Sequence, residues 1–106
     1  MDFDVIVIGG GSAGYAAANS AQSKGAEVAI VDKGPLGGLC ILRGCMPTKT
    51  ILRSSDIFSL FQRAKEFGLS VDNSSADLSL INDRKVRLVD EFASYRIQQL
   101  NDPKFN

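Results

Sequence analysis

The feature that most constrains the fold is a glycine-rich segment, GGGSAG, that starts at Gly9 and follows the β-branched run FDVIVI. Gly9, Gly11 and Gly14 have GxGxxG spacing, a weak signal alone that gains weight between a strand and a helix. An alanine-rich stretch follows, and then a second apolar run, EVAIVD, over residues 27–32. This order predicts a βαβ unit of about thirty residues, with two parallel strands that are each buried on both faces.

Each position of the turn has a distinct physical role in a phosphate-binding site. Gly9 allows the sharp exit from the strand, Gly11 lets a pyrophosphate approach the backbone, and Gly14 lets the helix pack closely on the strand. Ser12 and Ala13 open the helix, where unpaired N–H groups and the positive end of the dipole attract phosphates. The pattern therefore predicts a dinucleotide site, and it leaves NAD and FAD both open.

Asp32 ends the second run, 18 residues after Gly14, and Lys33 follows it. An acidic side chain at this place can accept hydrogen bonds from ribose hydroxyls. We predict that Asp32 and Lys33 belong to the same nucleotide site. The alternative is a tight turn between strand and helix that happens to be followed by a surface acid.

The rest of the chain predicts two long helices and no further strands. GPLGG, over residues 34–38, is typical of a loop, and apolar residues recur at helical spacing from about Pro47 to about Phe67. Gly68 is the expected stop, and a last helix is predicted from about Asp77 to Leu100. The expected class is α/β, with an incomplete sheet because two strands are too few for a stable one.

Cys40 and Cys45 are the only cysteines among 106 residues, and the chain has no histidine. In a regular α-helix, residues five apart are separated by about 8–9 Å, whereas a disulfide tolerates roughly 4.4–6.8 Å between α-carbons. A bond between these cysteines therefore needs a bent segment, which Gly44 and Pro47 would suit. Lys49 and a helix N-terminus would favour a thiolate at Cys45, which leaves Cys40 as the better candidate for exchange with a substrate.

Other interpretations of the two cysteines remain open. They could be buried and inert, although that role needs no preceding glycine pair. A zinc site would lack ligands, since two cysteines without histidine supply half of the usual four. The spacing also differs from the CxxC of thioredoxin-like proteins.

Composition excludes several classes of partner. Twelve basic and twelve acidic residues cancel, so charge implies neither a nucleic-acid nor a membrane partner. No apolar run could span a bilayer, and the first residues do not resemble a signal peptide. We expect a cytoplasmic protein.

Three segments together carry a resemblance to a known family: VIGGGSAGYAAA, VAIVDKGPLGGLC and CILRGCMPTKTIL. They resemble the FAD-dependent pyridine nucleotide–disulfide oxidoreductases, which include dihydrolipoamide dehydrogenase, glutathione reductase and mercuric reductase. The resemblance covers nearly the whole chain and only the N-terminal part of the family's longer polypeptide. It implies that residues 1–106 are a fragment of a Rossmann-like FAD-binding domain, without the NAD(P)H and dimerisation domains.

The resemblance also implies roles for individual residues. Cys40 would be the interchange thiol, Cys45 would lie against the isoalloxazine ring, and Lys49 would sit near the reactive end of that ring. The cofactor FAD would further be held by a set of backbone and polar groups, namely Gly9, Gly11, Ser12, Ala13, Gly14, Asp32, Lys33, Gly37 and Gly38. The chain departs from the family pattern at Asp32, Leu39 and Leu42, where the family usually has glutamate, threonine and asparagine.

In the whole enzyme, electrons would pass from NAD(P)H through FAD to the cysteine pair and on to a disulfide substrate or a metal ion. The isolated chain is expected to be incomplete and inactive, and to need the rest of the enzyme or a complementary subunit. The alternative is a truncated, non-catalytic module that binds a nucleotide or another subunit.

Overall fold

The computed structural model describes residues 2–105, and it shows a mixed α/β arrangement. Within that range, a βαβ unit is followed by a short helix, a long helix, one turn of 3₁₀-helix and a second long helix. The elements are β1 (Val5–Ile8), α1 (Ser12–Gln22), β2 (Val28–Val31), α2 (Gly38–Arg43), α3 (Cys45–Gln62), the 3₁₀ turn (Ala64–Phe67) and α4 (Leu78–Leu100). The predicted class, a partial Rossmann-like domain with an incomplete sheet, is confirmed.

The two strands pair in parallel, from Val5 opposite Val28 to Ile8 opposite Val31. Helix α1 covers one face of the pair, and the buried core beneath it contains Ala18 and Val28. The prediction that both faces of the strands are buried is wrong for this chain. Successive side chains of a strand point to opposite faces, and on the face away from α1 Ile6 and Ile8 are 60% and 88% exposed.

Residues 38–62 form two helices rather than a loop and one helix. The predicted loop ends at the start of α2, and α3 begins at Cys45, two residues before Pro47. Gly44 separates the helices with φ −124° and ψ −108°, which is not a helical conformation. Helix α3 ends at Gln62, earlier than predicted, and the 3₁₀ turn then continues to Phe67. The predicted stop at Gly68 is confirmed, because its φ of 72° lies in the left-handed region that favours glycine.

Helix α4 is capped by Asp77, whose carboxylate accepts hydrogen bonds from the N–H groups of Ser79 and Leu80 at 2.8 and 3.1 Å. After α4 ends, the chain turns back over α1. Phe105 is buried there, 6.2 Å from Tyr15 between ring centroids in an edge-to-face arrangement. The C-terminal end of the described chain therefore belongs to the core of the βαβ unit. None of the described helices is both long enough and apolar enough to cross a membrane.

Candidate functional site

The glycine-rich turn brings the end of β1 and the start of α1 into close backbone contact. Gly9 has φ 104°, which L-residues with a side chain rarely adopt. A Cβ on Gly14 would lie 1.7 Å from the carbonyl oxygen of Gly9. The geometry therefore agrees with the predicted steric roles of Gly9 and Gly14.

A second backbone contact joins this turn to the start of α2. A Cβ on Gly38 would lie only 2.7 Å from the α-carbon of Gly11, and Gly37 and Gly38 have φ 128° and 79°. Two segments far apart in sequence thus meet without side chains between them. We call the backbone of Gly11, Gly37 and Gly38 the glycine cradle.

The Asp32 carboxylate holds the turn from the end of β2. Its Oδ2 accepts a hydrogen bond from the Gly10 N–H at 2.5 Å, and its Oδ1 accepts one from the Gly34 N–H at 2.6 Å. These two hydrogen bonds lower the pKa of Asp32 below that of an ordinary aspartate, and the bond from Gly10 has the larger effect. Each carboxylate oxygen can accept a further hydrogen bond. Asp32 can therefore hold the turn and also accept a hydrogen bond from a ribose hydroxyl.

A groove of about 500 Å³ opens at the carboxyl ends of the two strands. Four predicted site residues line it: Gly9, Asp32, Lys33 and Gly38. Leu39, Leu42 and Arg43 also line it, and the sequence-based prediction missed all three as groove residues. They could have been identified once residues 38–43 were recognised as a helix, because side chains three or four residues apart lie on the same face of a helix. In open parallel sheets, ligands bind in crevices outside the carboxyl ends of the strands.

Cys40 lies in α2 and Cys45 begins α3, so the two cysteines stand on either side of the bend at Gly44. Both are free thiols; Cys40 is half-buried and Cys45 is exposed. A side-chain hydrogen bond with Cys45 raises the pKa of Cys40, and desolvation adds to the rise, while Lys49 opposes it. Glycine suits position 44 because a side chain would crowd the bend: a Cβ on Gly44 would lie 3.1 Å from the Leu39 carbonyl oxygen. The prediction of a bent segment that brings the two sulfurs together agrees with this geometry.

This hydrogen bond gives a test by alkylation. In Cys45→Ala, the pKa of Cys40 is expected to fall, because the bond and the neighbouring charge that keep its proton are gone. At pH 8 more Cys40 would then be thiolate, and iodoacetamide would modify it faster, because the thiolate is the nucleophile. Lys49→Met should have the opposite effect, since the lysine charge favours the thiolate. Peptide mass analysis of Cys40 alkylation across pH 6–10 measures both effects; identical pH profiles in all three proteins would contradict the contact.

Comparison with known proteins matches residues 3–103 to the family described as pyridine nucleotide-disulphide oxidoreductase. A dihydrolipoyl dehydrogenase of Bacillus subtilis (strain 168) is 37% identical over 93 residues, which are 88% of this chain and 20% of that protein. A dihydrolipoyl dehydrogenase of Chlorobaculum parvum is 46% identical over 88 residues, covering 81% of this chain and 19% of the relative.

A mercuric reductase of Staphylococcus aureus is 40% identical over 90 residues, covering 85% of this chain and 16% of that enzyme. The chain thus spans about a fifth or less of the length of these relatives. The family match covers all of the residues that form the glycine turn, the cradle and the thiol pair. On this sequence similarity, the chain belongs to the pyridine nucleotide-disulphide oxidoreductase family.

Proposed function

We propose that this chain supplies the FAD-binding turn and the redox-active thiol pair of an FAD-dependent disulfide oxidoreductase. The observation that carries the proposal is the contact between Gly11 and Gly38. Gly38 is the first residue of α2, so Cys40 lies within one helical turn of the glycine cradle, and Cys45 follows at the start of α3. On this proposal, residues 1–106 correspond to the N-terminal part of an FAD-binding domain.

The residues present fit such a cofactor. Helix α1 begins with no side-chain cap and no acidic residue in its first turn, so its N–H groups are available to a pyrophosphate. The cradle lacks the side chains that would fill it, and Asp32 lies beside it at the sheet edge. FAD would supply a two-electron carrier next to the thiols. The residues proposed to hold it are Gly9, Gly11, Ser12, Ala13, Gly14, Asp32, Lys33, Gly37, Gly38 and, near the flavin ring, Lys49.

The thiol chemistry follows from the positions of the two sulfurs. The Cys40 sulfur attacks a substrate disulfide, one substrate sulfur leaves with a proton, and a mixed disulfide forms. The Cys45 sulfur then attacks Cys40, which forms the Cys40–Cys45 disulfide and releases the second substrate sulfur as a thiol. Two protons and two electrons pass to the substrate, and the Lys49 charge favours the thiolate form that attacks.

The electron donor and the substrate are the finer parts of the proposal. NAD(P)H is the donor expected from the family. Lipoamide, a glutathione-type disulfide and mercuric ion are the candidate substrates, and the names of the relatives agree with lipoamide and mercuric ion. The cytoplasmic compartment expected from the sequence stays a prediction.

Mild oxidation tests the thiol pair directly. We expect the reduced chain to take up two iodoacetamide groups, and the chain oxidised with diamide to take up none and to weigh two hydrogens less. Cys45→Ala is the control, because its single thiol cannot close an internal bond. Two alkylated cysteines after oxidation of the parent chain, or covalent dimers alone, would contradict the proposed exchange.

A second candidate function is favoured by the uncovered face of the sheet. Ile6 and Ile8 are joined there by Val31, which is 56% exposed, and both strands have an unpaired edge. Exposed apolar patches and open strand edges mark interaction sites, so the chain could be a non-catalytic module that docks on a complementary subunit. A purified chain that stays colourless with FAD and binds a complementary chain would favour this function.

A further inference from the structure

Arg96 reaches from α4 to the first turn of α1. Its Nη1 donates a hydrogen bond to the carbonyl oxygen of Gly11 at 3.4 Å, and its guanidinium carbon lies 4.6 Å from the ring centroid of Tyr15. Stacking on an aromatic ring stabilises a guanidinium and fixes its plane. Among residues 2–105, Arg96 is the basic residue whose side chain donates a hydrogen bond to the glycine-rich turn.

The charge of Arg96 has no anionic partner within the described residues. The described ion pairs involve Arg63, Arg87 and Lys104, and none includes Arg96. Its Nε is buried without a hydrogen-bond partner. A guanidinium offers five donors, and a buried donor without a partner costs free energy.

The position of this charge is also unfavourable for the chain alone. The N-terminus of a helix carries a partial positive charge, so a cation beside it is repelled while an anion is attracted. Helix α1 has no acidic side chain in its first turn to offset the repulsion. An anion bound at the glycine cradle would interact favourably with both the helix and Arg96.

We propose that Arg96 neutralises the pyrophosphate of the dinucleotide, acting from outside the glycine-rich turn through its charge. This inference rests on the proposed function, because it concerns the same cofactor. The cradle has a leucine, Leu39, directly after Gly38, so no hydroxyl at that place can donate to a phosphate.

One alternative role for Arg96 is purely structural. The buried Oε1 of Gln99 also lacks a hydrogen-bond partner, and Gln99 is three residues further along the same helix, where a water could join the two side chains. In that case Arg96 would stabilise α4 and contribute nothing to phosphate binding. Gln99→Leu removes this acceptor and serves as the comparison.

The test measures FAD and riboflavin binding to the 106-residue chain by equilibrium dialysis, in the parent, Arg96→Gln, Arg96→Lys and Gln99→Leu. Arg87→Gln is the matched control, since it removes a charge from the exposed face of α4, where Arg87 pairs with Glu91. Circular dichroism confirms that each variant is folded. Raising the salt from 0.05 to 0.5 M separates charge from packing, because exposed charge interactions are screened.

We expect Arg96→Gln to weaken FAD binding by about tenfold, the size of one charge-assisted interaction, and to reduce its salt dependence. Riboflavin, which has no phosphate, should bind the parent and this variant alike. Arg96→Lys should retain most of the affinity, and Gln99→Leu and Arg87→Gln should match the parent. Equal FAD affinity and salt dependence in the parent and Arg96→Gln would overturn the role of Arg96, whereas failure of the parent to bind FAD would contradict the proposed function itself.

If Arg96→Gln loses its fold, Arg96→Lys decides the question. Lysine keeps the charge and loses the planar, stacked guanidinium. A folded Arg96→Lys chain that binds FAD with full salt dependence supports the charge role. A folded Arg96→Lys chain whose affinity is the same at low and high salt overturns it.

Discussion

The Gly14→Ala variant is expected to lose about 3 kcal/mol or more of unfolding free energy, the upper range for overpacking a tight site. The added Cβ would lie 1.7 Å from the Gly9 carbonyl oxygen and 3.3 Å from a methyl carbon of Val7. The nearest atom belongs to the backbone, so relief requires α1 to move away from the end of β1. For a chain of this size, the melting temperature should fall by about 12 °C or more, as measured by circular dichroism.

Gly11→Ala is the matched control for the fold. A Cβ on Gly11 would meet only the Gly38 α-carbon, at 3.7 Å, which is an ordinary contact. Its backbone, with φ −72° and ψ −171°, is one that alanine adopts without strain. We expect this variant to melt within a few degrees of the parent. If Gly14→Ala melted with the parent chain as well, α1 could not be packed on the turn as described.

The βαβ unit was predictable because its signals are local. The continuous β-branched runs, the glycine spacing and the alanine-rich stretch each act within a few residues, so β1, α1 and β2 appear where they were expected. The stop at Gly68 and the helix that follows Asp77 were predictable for the same reason.

The remaining features depend on contacts between segments that are distant in sequence. The pair Gly37–Gly38 is typical of a loop, yet Gly38 begins α2, and the burial of Ile41 holds that helix in place. Phe105 lies beyond the helix that was predicted to end at Leu100, and only the return of the chain over α1 makes it a core residue. Burial on both faces of the strands was the wrong expectation, because the described residues contain no second layer.

The candidate site divides in the same way. Gly9, Gly11 and Gly14 could be identified from spacing, and Cys40, Cys45 and Lys49 from their order and chemistry. The bonds from Asp32 to the turn, the closeness of Gly11 to Gly38 and the reach of Arg96 depend on tertiary packing. The roles of these residues toward a cofactor stay predictions, while the structure describes their positions.

The Gly11→Val variant is expected to lose flavin binding. Valine at this position would extend two methyl groups from a backbone that faces Gly38, into the space that a pyrophosphate needs. Its extended backbone conformation is one that β-branched residues favour, so the fold should persist. Ala17→Val, on the exposed side of α1, is the control for adding a β-branched residue to this region.

Equilibrium dialysis with FAD determines whether a flavin dinucleotide binds at the glycine-rich turn beside the thiol pair. We expect the parent chain and Ala17→Val to retain FAD, with the absorbance of a bound flavin, while folded Gly11→Val retains none. Unchanged FAD affinity in folded Gly11→Val, or no FAD retained by the folded parent chain, would contradict binding at this turn.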